Sequence, residues 1–220
     1  MERSISGVGV LDKAVAILDA LEAGPLTLAE VMAATALPRA TAHRLVHALE
    51  RHGLVARSTG DRRGLGPRLV SLGSKALAGQ PIAELARPAL ERLRDETGES
   101  VQLYLPQGDV RVCVASLESP HGLRTIVAVG AALPMDRGSA GKVLAGDADR
   151  ATVRRGWAAS VEEREKGVAS VSAPVHDGHG VAAAVSVSGP VERMTRTPGR
   201  LHADAVVRAA RAIEATMGWT

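Results

Sequence analysis

Residues 27–53, TLAEVMAATALPRATAHRLVHALERHG, decide the fold of the N-terminal part of the chain. Thr27 precedes Glu30 by three residues, which is the spacing of a capping box at the start of a short helix. Pro38 lies in the first turn of a second helix, and Gly53 ends it. The apolar face of this second helix consists of Leu45, Val46 and Leu49. Two helices separated by a short turn predict a helix-turn-helix.

Two further elements flank this pair. A helix is predicted over residues 10–22, because apolar residues recur there at spacings of three and four. These apolar residues are Leu11, Ala14, Val15, Leu18 and Leu21. After the second helix of the pair, residues 54–57 and 62–65 predict two strands joined by a turn over residues 58–61. A hairpin in this position predicts the wing of a winged helix-turn-helix.

Positive charge is concentrated in the same region. Seven arginines lie between residues 38 and 68, opposed only by Glu50 and Asp61. Contacts to phosphate dominate the affinity of proteins for duplex DNA, and arginine also suits guanine. The predicted DNA contacts are Thr27, Pro38, Arg39, Thr41, Ala42, His43, Arg44, Arg62 and Arg63. Two alternatives stay open: a solvated face of an ordinary helix bundle and, for His43, a packed position at a helix start.

The chain after the wing begins with helical patterns. A helix over residues 68–78 is broken at residues 79–81, which predicts an interdomain linker. A longer amphipathic helix follows over residues 82–97 and is closed by Gly98. Its inward residues are predicted to be Leu85, Ala89, Leu90 and Leu93.

Strand patterns dominate the second half. Residues 101–105 and 111–116 predict a hairpin, and residues 123–129 predict a third strand. Further predicted elements are a helix over residues 139–144 continued by residues 149–156, a hairpin of residues 168–175 and 181–188, and a helix over residues 200–217. This order predicts an α+β domain with helices on one side of a curved antiparallel sheet.

Composition excludes several classes of function. Aromatic residues make up only 1% of the chain and Phe is absent, so the stacking platforms of single-strand and RNA binders are lacking. Cys113 is the single cysteine and cannot form an internal disulfide. Without a charged leader or a run of about 20 apolar residues, we expect a cytoplasmic protein with no membrane contact.

Catalytic and metal-binding patterns are weak. His176, Asp177 and His179 are of metal-ligand types, yet Asp177 followed by Gly178 is typical of an exposed hairpin turn. Cys113 lies in an apolar strand pattern, where a cysteine acts as a small hydrophobe. No phosphate loop, pair of catalytic carboxylates or serine elbow is present. We therefore expect no enzymatic activity, no cofactor and no bound metal.

The chain resembles the IclR family of bacterial regulators over nearly its whole length. The similar N-terminal segments are residues 9–14 (GVLDKA), 37–45 (LPRATAHRL) and 49–55 (LERHGLV). The similar C-terminal segments are residues 97–100 (TGES), 138–142 (GSAGK), 167–175 (GVASVSAPV) and 185–190 (VSVSGP). Residues 189–196 resemble actinobacterial members linked to amino-acid biosynthesis, particularly that of leucine. The resemblance implies a GAF-like effector-binding domain, and homodimers or homotetramers on near-palindromic operators.

The resemblance also implies a site for a small anionic metabolite. Relatives that bind small keto acids use the backbone at two of the corresponding positions and side chains at four others. These positions are Ser139 and Ala140 for the backbone, and Ser160, Ser170, Ser186 and Ser188 for the side chains. Ser160 and Ser170 replace the family's usual acid and thiol, and residues 144–157 are shorter than in many relatives, so a keto-acid ligand is not assumed. Alternatively, these serines are merely tolerated in strands beside a pocket.

Three segments follow from these patterns. Residues 1–66 are predicted to form a winged helix-turn-helix DNA-binding domain, residues 67–80 a linker helix, and residues 81–220 an effector-binding and oligomerisation domain. The predicted function is transcriptional regulation, most simply repression, by sequence-specific binding to double-stranded operator DNA under control of a small-molecule effector. The predicted dimer contact is the first helix, through Leu11, Val15 and Leu18. The alternative is a small-molecule-binding or enzymatic domain whose N-terminal helices serve protein association.

Overall fold

The computed structural model describes residues 7–78, 81–145 and 154–219. The chain divides into two compact units, Met1–Ala78 and Gly79–Thr220. The first unit contains α1 (Gly9–Glu22), α2 (Leu28–Thr35), α3 (Arg39–Arg51), β1 (Val55–Arg57), β2 (Arg63–Leu65) and α4 (Pro67–Ala78). The second contains α5 (Pro81–Leu85), α6 (Arg87–Thr97), β3 (Ser100–Gln107), β4 (Val110–Leu117), β5 (Ala132–Pro134), α7 (Ser139–Leu144), β6 (Ala158–Val161), β7 (Val168–Asp177), β8 (Gly180–Pro190), α8 (Val191–Met194) and α9 (Pro198–Met217). The role of residues 67–80 as a linker stays a prediction.

The helix-turn-helix is formed by α2 and α3. The predicted capping box is present at the start of α2, where Thr27 Oγ1 accepts from the Glu30 amide at 3.3 Å and Glu30 Oε2 accepts from the Thr27 amide at 2.8 Å. Ala36 ends α2 with a left-handed φ of 54°, and Pro38 directly precedes α3. The buried core consists of Ile17, Leu21, Val31, Leu37, Ala42, Val46, Leu49 and Val55.

Only part of the predicted apolar face of α1 is exposed. Leu11 and Val15 are 53% and 45% exposed, whereas Leu18 packs against the core beside the fully buried Ile17. Leu18 is half-buried and therefore does not fit the predicted dimer contact, because the helical period of 3.6 residues places it on the same stripe as Leu21.

The predicted wing is present as an antiparallel pair of β1 and β2, with Val55 opposite Leu65. We call residues 54–65 the wing. Leu26, which precedes α2, forms a bridge with Arg63 of β2. The wing is therefore tied by backbone hydrogen bonds to the segment before α2 as well as to the end of α3.

The second unit is built on a six-stranded antiparallel sheet with the strand order β5-β4-β3-β8-β7-β6. Helices α6 and α9 pack on one face, against β3 and against β7 and β8. Helix α7 packs on the other face, against β6, β7 and β8. The α+β architecture is confirmed. Helices cover both faces rather than the single face predicted, and α7 thereby encloses space above the sheet.

The helix predicted over residues 82–97 is divided into α5 and α6 at Ala86. Pro88 explains the break, since proline has no amide hydrogen to donate and its ring crowds the preceding turn. Leu85 is 42% exposed, whereas Ile82 and Ala86 are buried. The predicted burial of Leu85 is therefore wrong.

Residues 123–129 do not form the predicted strand. Leu123 and Ile126 are 69% and 62% exposed, and Arg124 holds the segment as a loop through bonds to Glu118 and to the carbonyls of His121 and Gly122. The strand that pairs with the second edge of β4, opposite β3, is β5, and neither β5 nor β6 was predicted. Of the helix predicted over residues 149–156, residues 149–153 lie outside the described residues.

Candidate functional site

The N-terminal half of α3 presents a polar surface. Arg39, His43 and Arg44 are exposed, and Thr41 is half-buried. Residues four apart on a helix lie on the same side, so Arg39 and His43 are neighbours. Pro38 is also exposed at the helix start. This surface carries two guanidinium groups and one imidazole in the position from which a recognition helix contacts base edges.

Ala42 does not belong to this surface. Its side chain is 0% exposed and packs in the core with Val46 and Leu49. Ala42 precedes Val46 by four residues, which is the spacing of the inward face. The prediction of a DNA contact by Ala42 is wrong. The hydroxyl of Thr27 is already engaged in the capping box, where it also donates to Glu30 Oε2 at 3.0 Å.

The two arginines predicted at the tip of the wing are held by other parts of the first unit. Arg62 donates to the Pro25 carbonyl at 2.7 Å and to Glu30 Oε1 at 3.1 Å. Arg63 donates to Glu50 Oε1 at 3.2 Å and to Asp61 Oδ1 at 2.6 Å, and its side chain is only 17% exposed. The prediction that Arg63 faces DNA is therefore wrong, because its guanidinium joins the wing to α3.

A polar pocket lies between α7 and the sheet of the second unit. Its volume is about 20 Å³, room for about one water molecule. All six residues predicted for the effector site line it: Ser139, Ala140, Ser160, Ser170, Ser186 and Ser188. They come from α7, β6, β7 and β8, so the fold brings together residues up to 49 positions apart, from Ser139 to Ser188.

Four serine hydroxyls beside this pocket are hydrogen-bonded in series. Ser139 Oγ lies 2.7 Å from both Ser170 Oγ and Ser172 Oγ. Ser172 Oγ donates to Ser186 Oγ at 2.9 Å. We call these four residues the serine series. It connects α7 to two adjacent strands through side chains that point to the same face.

Several residues of the pocket were not predicted. Gln102, Tyr104, Arg111 and Arg164 line it, and Ser172 completes the serine series. Ser172 follows Ser170 by two positions, so strand alternation could have indicated it. Arg111 is a charged residue within the apolar strand pattern of β4, and that contrast was the available signal.

Burial controls the electrostatics of this pocket. The Arg111 guanidinium lies over the Tyr104 ring, 5.4 Å from its centroid. Burial lowers the pKa of Arg111 and raises the pKa of Tyr104. Tyr104 is consequently a neutral phenol at physiological pH, and Arg111 supplies a cation in a largely desolvated position.

The candidate metal residues form turn contacts. Asp177 Oδ1 accepts from the amides of His179 and Gly180 at 2.7 and 3.0 Å, and His176 Nδ1 lies 3.0 Å from Glu214 Oε1. Within residues 7–78, 81–145 and 154–219, no group of three or more His, Cys, Asp or Glu side chains is placed to hold a metal ion.

Cys113 is buried and its Sγ contacts the Ala115 carbonyl at 3.3 Å. Burial raises the pKa of its thiol from 9.0 to about 12. Above pH 9 the unfolded chain releases this proton while the folded chain retains it. The unfolded state then binds fewer protons, so the stability contributed by Cys113 declines as the pH rises from about 9 towards 12.

We therefore expect the free energy of unfolding to fall between pH 8 and pH 10 more steeply in the unmodified chain than in Cys113→Ala. Urea titrations followed by circular dichroism at both pH values measure the difference, and comparing slopes cancels the effect of the smaller side chain itself. Equal slopes in the two proteins would contradict a buried, protonated thiol.

Comparison with known proteins assigns the helix-turn-helix and the domain that contains the pocket to one family. Residues 10–59 match the sequence model of the IclR helix-turn-helix domain, and residues 74–154 and 148–215 match that of the bacterial transcriptional regulator IclR C-terminal domain. The chain is 31% identical to the HTH-type transcriptional regulator BhcR of Paracoccus denitrificans, over 93% of this chain and 86% of that protein. It is 25% identical to the transcriptional repressor IclR of Escherichia coli, over 89% of this chain and 84% of that protein.

The fold is also shared with solved structures. An IclR homolog from Microbacterium hydrocarbonoxydans, complexed with 4-hydroxybenzoate, aligns with a TM-score of 0.78 at 19% identity, over 96% of this chain and 100% of that chain. The matching families and curated relatives are transcriptional regulators and not enzymes. None of the helices described in this chain is long and apolar enough to cross a membrane.

Proposed function

Because the chain belongs to the IclR family of bacterial transcriptional regulators, we propose that it represses transcription by binding a specific double-stranded operator. The observation that carries this proposal is the exposed N-terminal half of α3, where Arg39, His43 and Arg44 face solvent. The opposite side of the same helix is anchored by Ala42, Val46 and Leu49. A rigid helix with cations at its start suits insertion into a major groove.

A fluorescence-anisotropy titration tests this proposal. The unmodified protein should bind duplex DNA from the region upstream of its own gene more tightly than a scrambled duplex, and binding should weaken as salt rises. Arg44→Ala should weaken binding to the native duplex about 10- to 100-fold, the range for losing a good base or phosphate contact. Arg51→Ala is the matched control, since this exposed arginine ends α3.

The control should change affinity much less than Arg44→Ala, because the N-terminal residues of a recognition helix contact the bases. Equal and feeble binding of both duplexes, repeated across genomic fragments and added metabolites, would contradict operator recognition. Binding that is tight but insensitive to Arg44→Ala would contradict the assignment of α3.

The proposed assembly is a homodimer or homotetramer on a near-palindromic operator. In a dimer the two copies of α3 would occupy successive major grooves about 34 Å apart. The exposed Leu11 and Val15 of α1 support α1 as the dimer contact, without Leu18. The stoichiometry of the titration checks this assembly. Two chains, or a multiple of two, should bind each operator.

The proposed effector is a small anionic metabolite that binds the pocket under α7. All six residues that the family resemblance implies converge there. The Microbacterium structure contains 4-hydroxybenzoate, which is a carboxylate, and this supports an anion in general but no particular ligand. An effector alters repression only through different affinities for two arrangements of the regulator.

Four finer features are part of the same proposal. The linker role of residues 67–80 rests on the helical pattern that is broken at residues 79–81, and the GAF-like character of the second domain rests on the family resemblance. A cytoplasmic location fits a bacterial regulator that binds operator DNA. The link to amino-acid, particularly leucine, biosynthesis rests on residues 189–196 alone. Sequencing the genomic fragments that the purified protein retains would test that link, and a promoter-reporter assay would separate repression from activation.

A further inference from the structure

Arg111 is a buried cation without a counterion. It is 2% exposed, and its Nη1 donates to the carbonyls of Pro134 and Arg137. Among the described residues no carboxylate pairs with it, and Asp136, which influences it from a distance, pairs with Arg137 instead at 3.0 Å. Leaving a charge buried without an opposite charge is costly, so the fold retains Arg111 at an energetic disadvantage.

Gln102, on the neighbouring strand β3, is a second buried polar residue whose hydrogen bonding is incomplete. Its side chain is 0% exposed, and its Oε1 accepts from Ser188 Oγ at 2.9 Å. Its Nε2 has no hydrogen-bond partner, and neither has Nε of Arg111. Buried donors nearly always have a hydrogen-bond partner, so these two exceptions point to a missing acceptor.

These two nitrogens share a polarity and belong to residues that line the same pocket. Within the described residues they are the only buried side-chain nitrogen or oxygen atoms without a partner. Both are donors, and both belong to residues that line the pocket under α7. An acceptor bound in that pocket would satisfy donors that the protein itself leaves open.

We propose, on the basis of the effector site proposed above, that Arg111 and Gln102 are the donors that hold the carboxylate of a short polar monocarboxylate. The planar guanidinium fork matches a carboxylate, and the amide adds a third donor. The ligand carries one negative charge because the second cation of the pocket, Arg164, is paired with Glu165 at 3.5 Å. A second negative charge would face Glu165 without compensation.

The remaining wall selects a polar body for the ligand. Ser139, Ser160, Ser170, Ser186 and Ser188 contribute hydroxyls or backbone amides to it. An aromatic ring would cover these groups without bonding to them. Arg164 and Glu165 also line the pocket, with side chains 25% and 60% exposed, so a ligand of a few heavy atoms requires these exposed side chains to move aside. The preferred ligands are short hydroxy or oxo acids.

Isothermal titration calorimetry with charged and neutral isosteres tests the assignment. The probes are lactate and pyruvate, their neutral analogues lactamide and pyruvamide, and benzoate as an aromatic acid. The unmodified protein should bind lactate or pyruvate at least about tenfold more tightly than the matching amide and than benzoate. Arg111→Met should lose at least about tenfold in affinity for the acid, and Gln102→Leu should lose several-fold.

Arg87→Met is the matched control, since it removes an exposed arginine of the same unit that pairs with Glu91 and does not line the pocket. It should retain the affinity of the unmodified protein. If Arg111→Met fails to fold, Arg111→Lys replaces it and should bind the acid weakly, because a lysine keeps the charge but not the fork. Equal binding of acid and amide, no binding of any acid, or unchanged affinity in the Arg111 variant would overturn the inference.

The operator titration distinguishes a failure of this inference from a failure of the proposed function. Operator binding together with no preference for the acids would overturn the roles of Arg111 and Gln102 and leave DNA recognition standing. Acid binding without operator binding would contradict the regulator and leave the carboxylate site standing.

Discussion

Replacing Arg193 with methionine is expected to lower the free energy of unfolding of the second unit by about 3 kcal/mol. Arg193 of α8 donates to Glu99 through Nε at 2.6 Å and through Nη2 at 2.8 Å, and its Nη2 also donates to the Leu123 carbonyl at 2.8 Å. The side chain of Glu99 is only 4% exposed. Removing one partner of a buried ion pair costs about 3–5 kcal/mol, and the partial exposure of Arg193 favours the lower end.

The measurement is a urea titration combined with hydrogen exchange, so that protection of β3 and β8 reports on the second unit. Arg196→Met is a matched control, because Arg196 is an exposed arginine two residues after the same helix. The double variant Arg193→Met with Glu99→Gln removes both charges and should be less destabilised than Arg193→Met alone. A loss below about 1 kcal/mol in Arg193→Met would show that Glu99 finds other partners.

Replacing Gly66 with alanine is expected to destabilise the first unit by about 3 kcal/mol and to weaken operator binding. A Cβ on Gly66 would overlap the carbonyl oxygen of Gly53 and lie 2.8 Å from the carbonyl carbon of Leu54. The amide of Gly66 donates to the Leu54 carbonyl at 2.8 Å, so the backbone cannot retreat without losing that bond. Overpacking of this kind costs about 1–3 kcal/mol or more.

Gly73→Ala is the matched control on α4. A Cβ there would meet no atom within 4 Å, and alanine favours a helix by about 0.5–1 kcal/mol over glycine. Hydrogen exchange in α3 and the wing should therefore rise in Gly66→Ala and fall or stay unchanged in Gly73→Ala. Protection that is unchanged in Gly66→Ala would mean that the wing can move away from α3 at little cost.

The order of elements could be predicted because each has a local signal. The capping box of Thr27 and Glu30, the proline before α3 and the alternating strands of β7 and β8 depend on neighbours in sequence. The same alternation places Ser186 and Ser188 on one face. Two wrong predictions overlooked local signals. Ala42 has the spacing of the inward face of α3, and Pro88 interrupts the helix predicted over residues 82–97.

The other errors depend on contacts between distant residues. Arg63 pairs with Glu50, 13 positions away, and that contact is invisible in either segment alone. Arg111 enters the pocket because β4 lies between β3 and β5, and the register of β3 and β4 shifts between Leu103 and Tyr104. Strand order and such a shift decide which side chains converge, and neither follows from alternation within one strand.

Two segments that carry the family resemblance, residues 97–100 and 189–196, contact each other, and this contact explains some of their residues. Glu99 follows Gly98, while Gly189 and Arg193 lie at the end of β8 and in α8. A Cβ on Gly189 would overlap Glu99 Oε2, so the glycine leaves room for the carboxylate that Arg193 binds. The three residues therefore form one unit although 90 positions separate Glu99 from Gly189.

The serine series has a direction. Each hydroxyl carries a single proton, and that of Ser172 is donated to Ser186. Ser139 must then donate to Ser172, and Ser170 to Ser139. The dipoles of the four hydroxyls align head to tail and polarise one another, with the proton of Ser186 pointing onward. An acceptor beside Ser186 strengthens all of these bonds together, whereas a donor in the same place shares the oxygen that already accepts from Ser172, so the series favours an acceptor at a position that only its last hydroxyl touches.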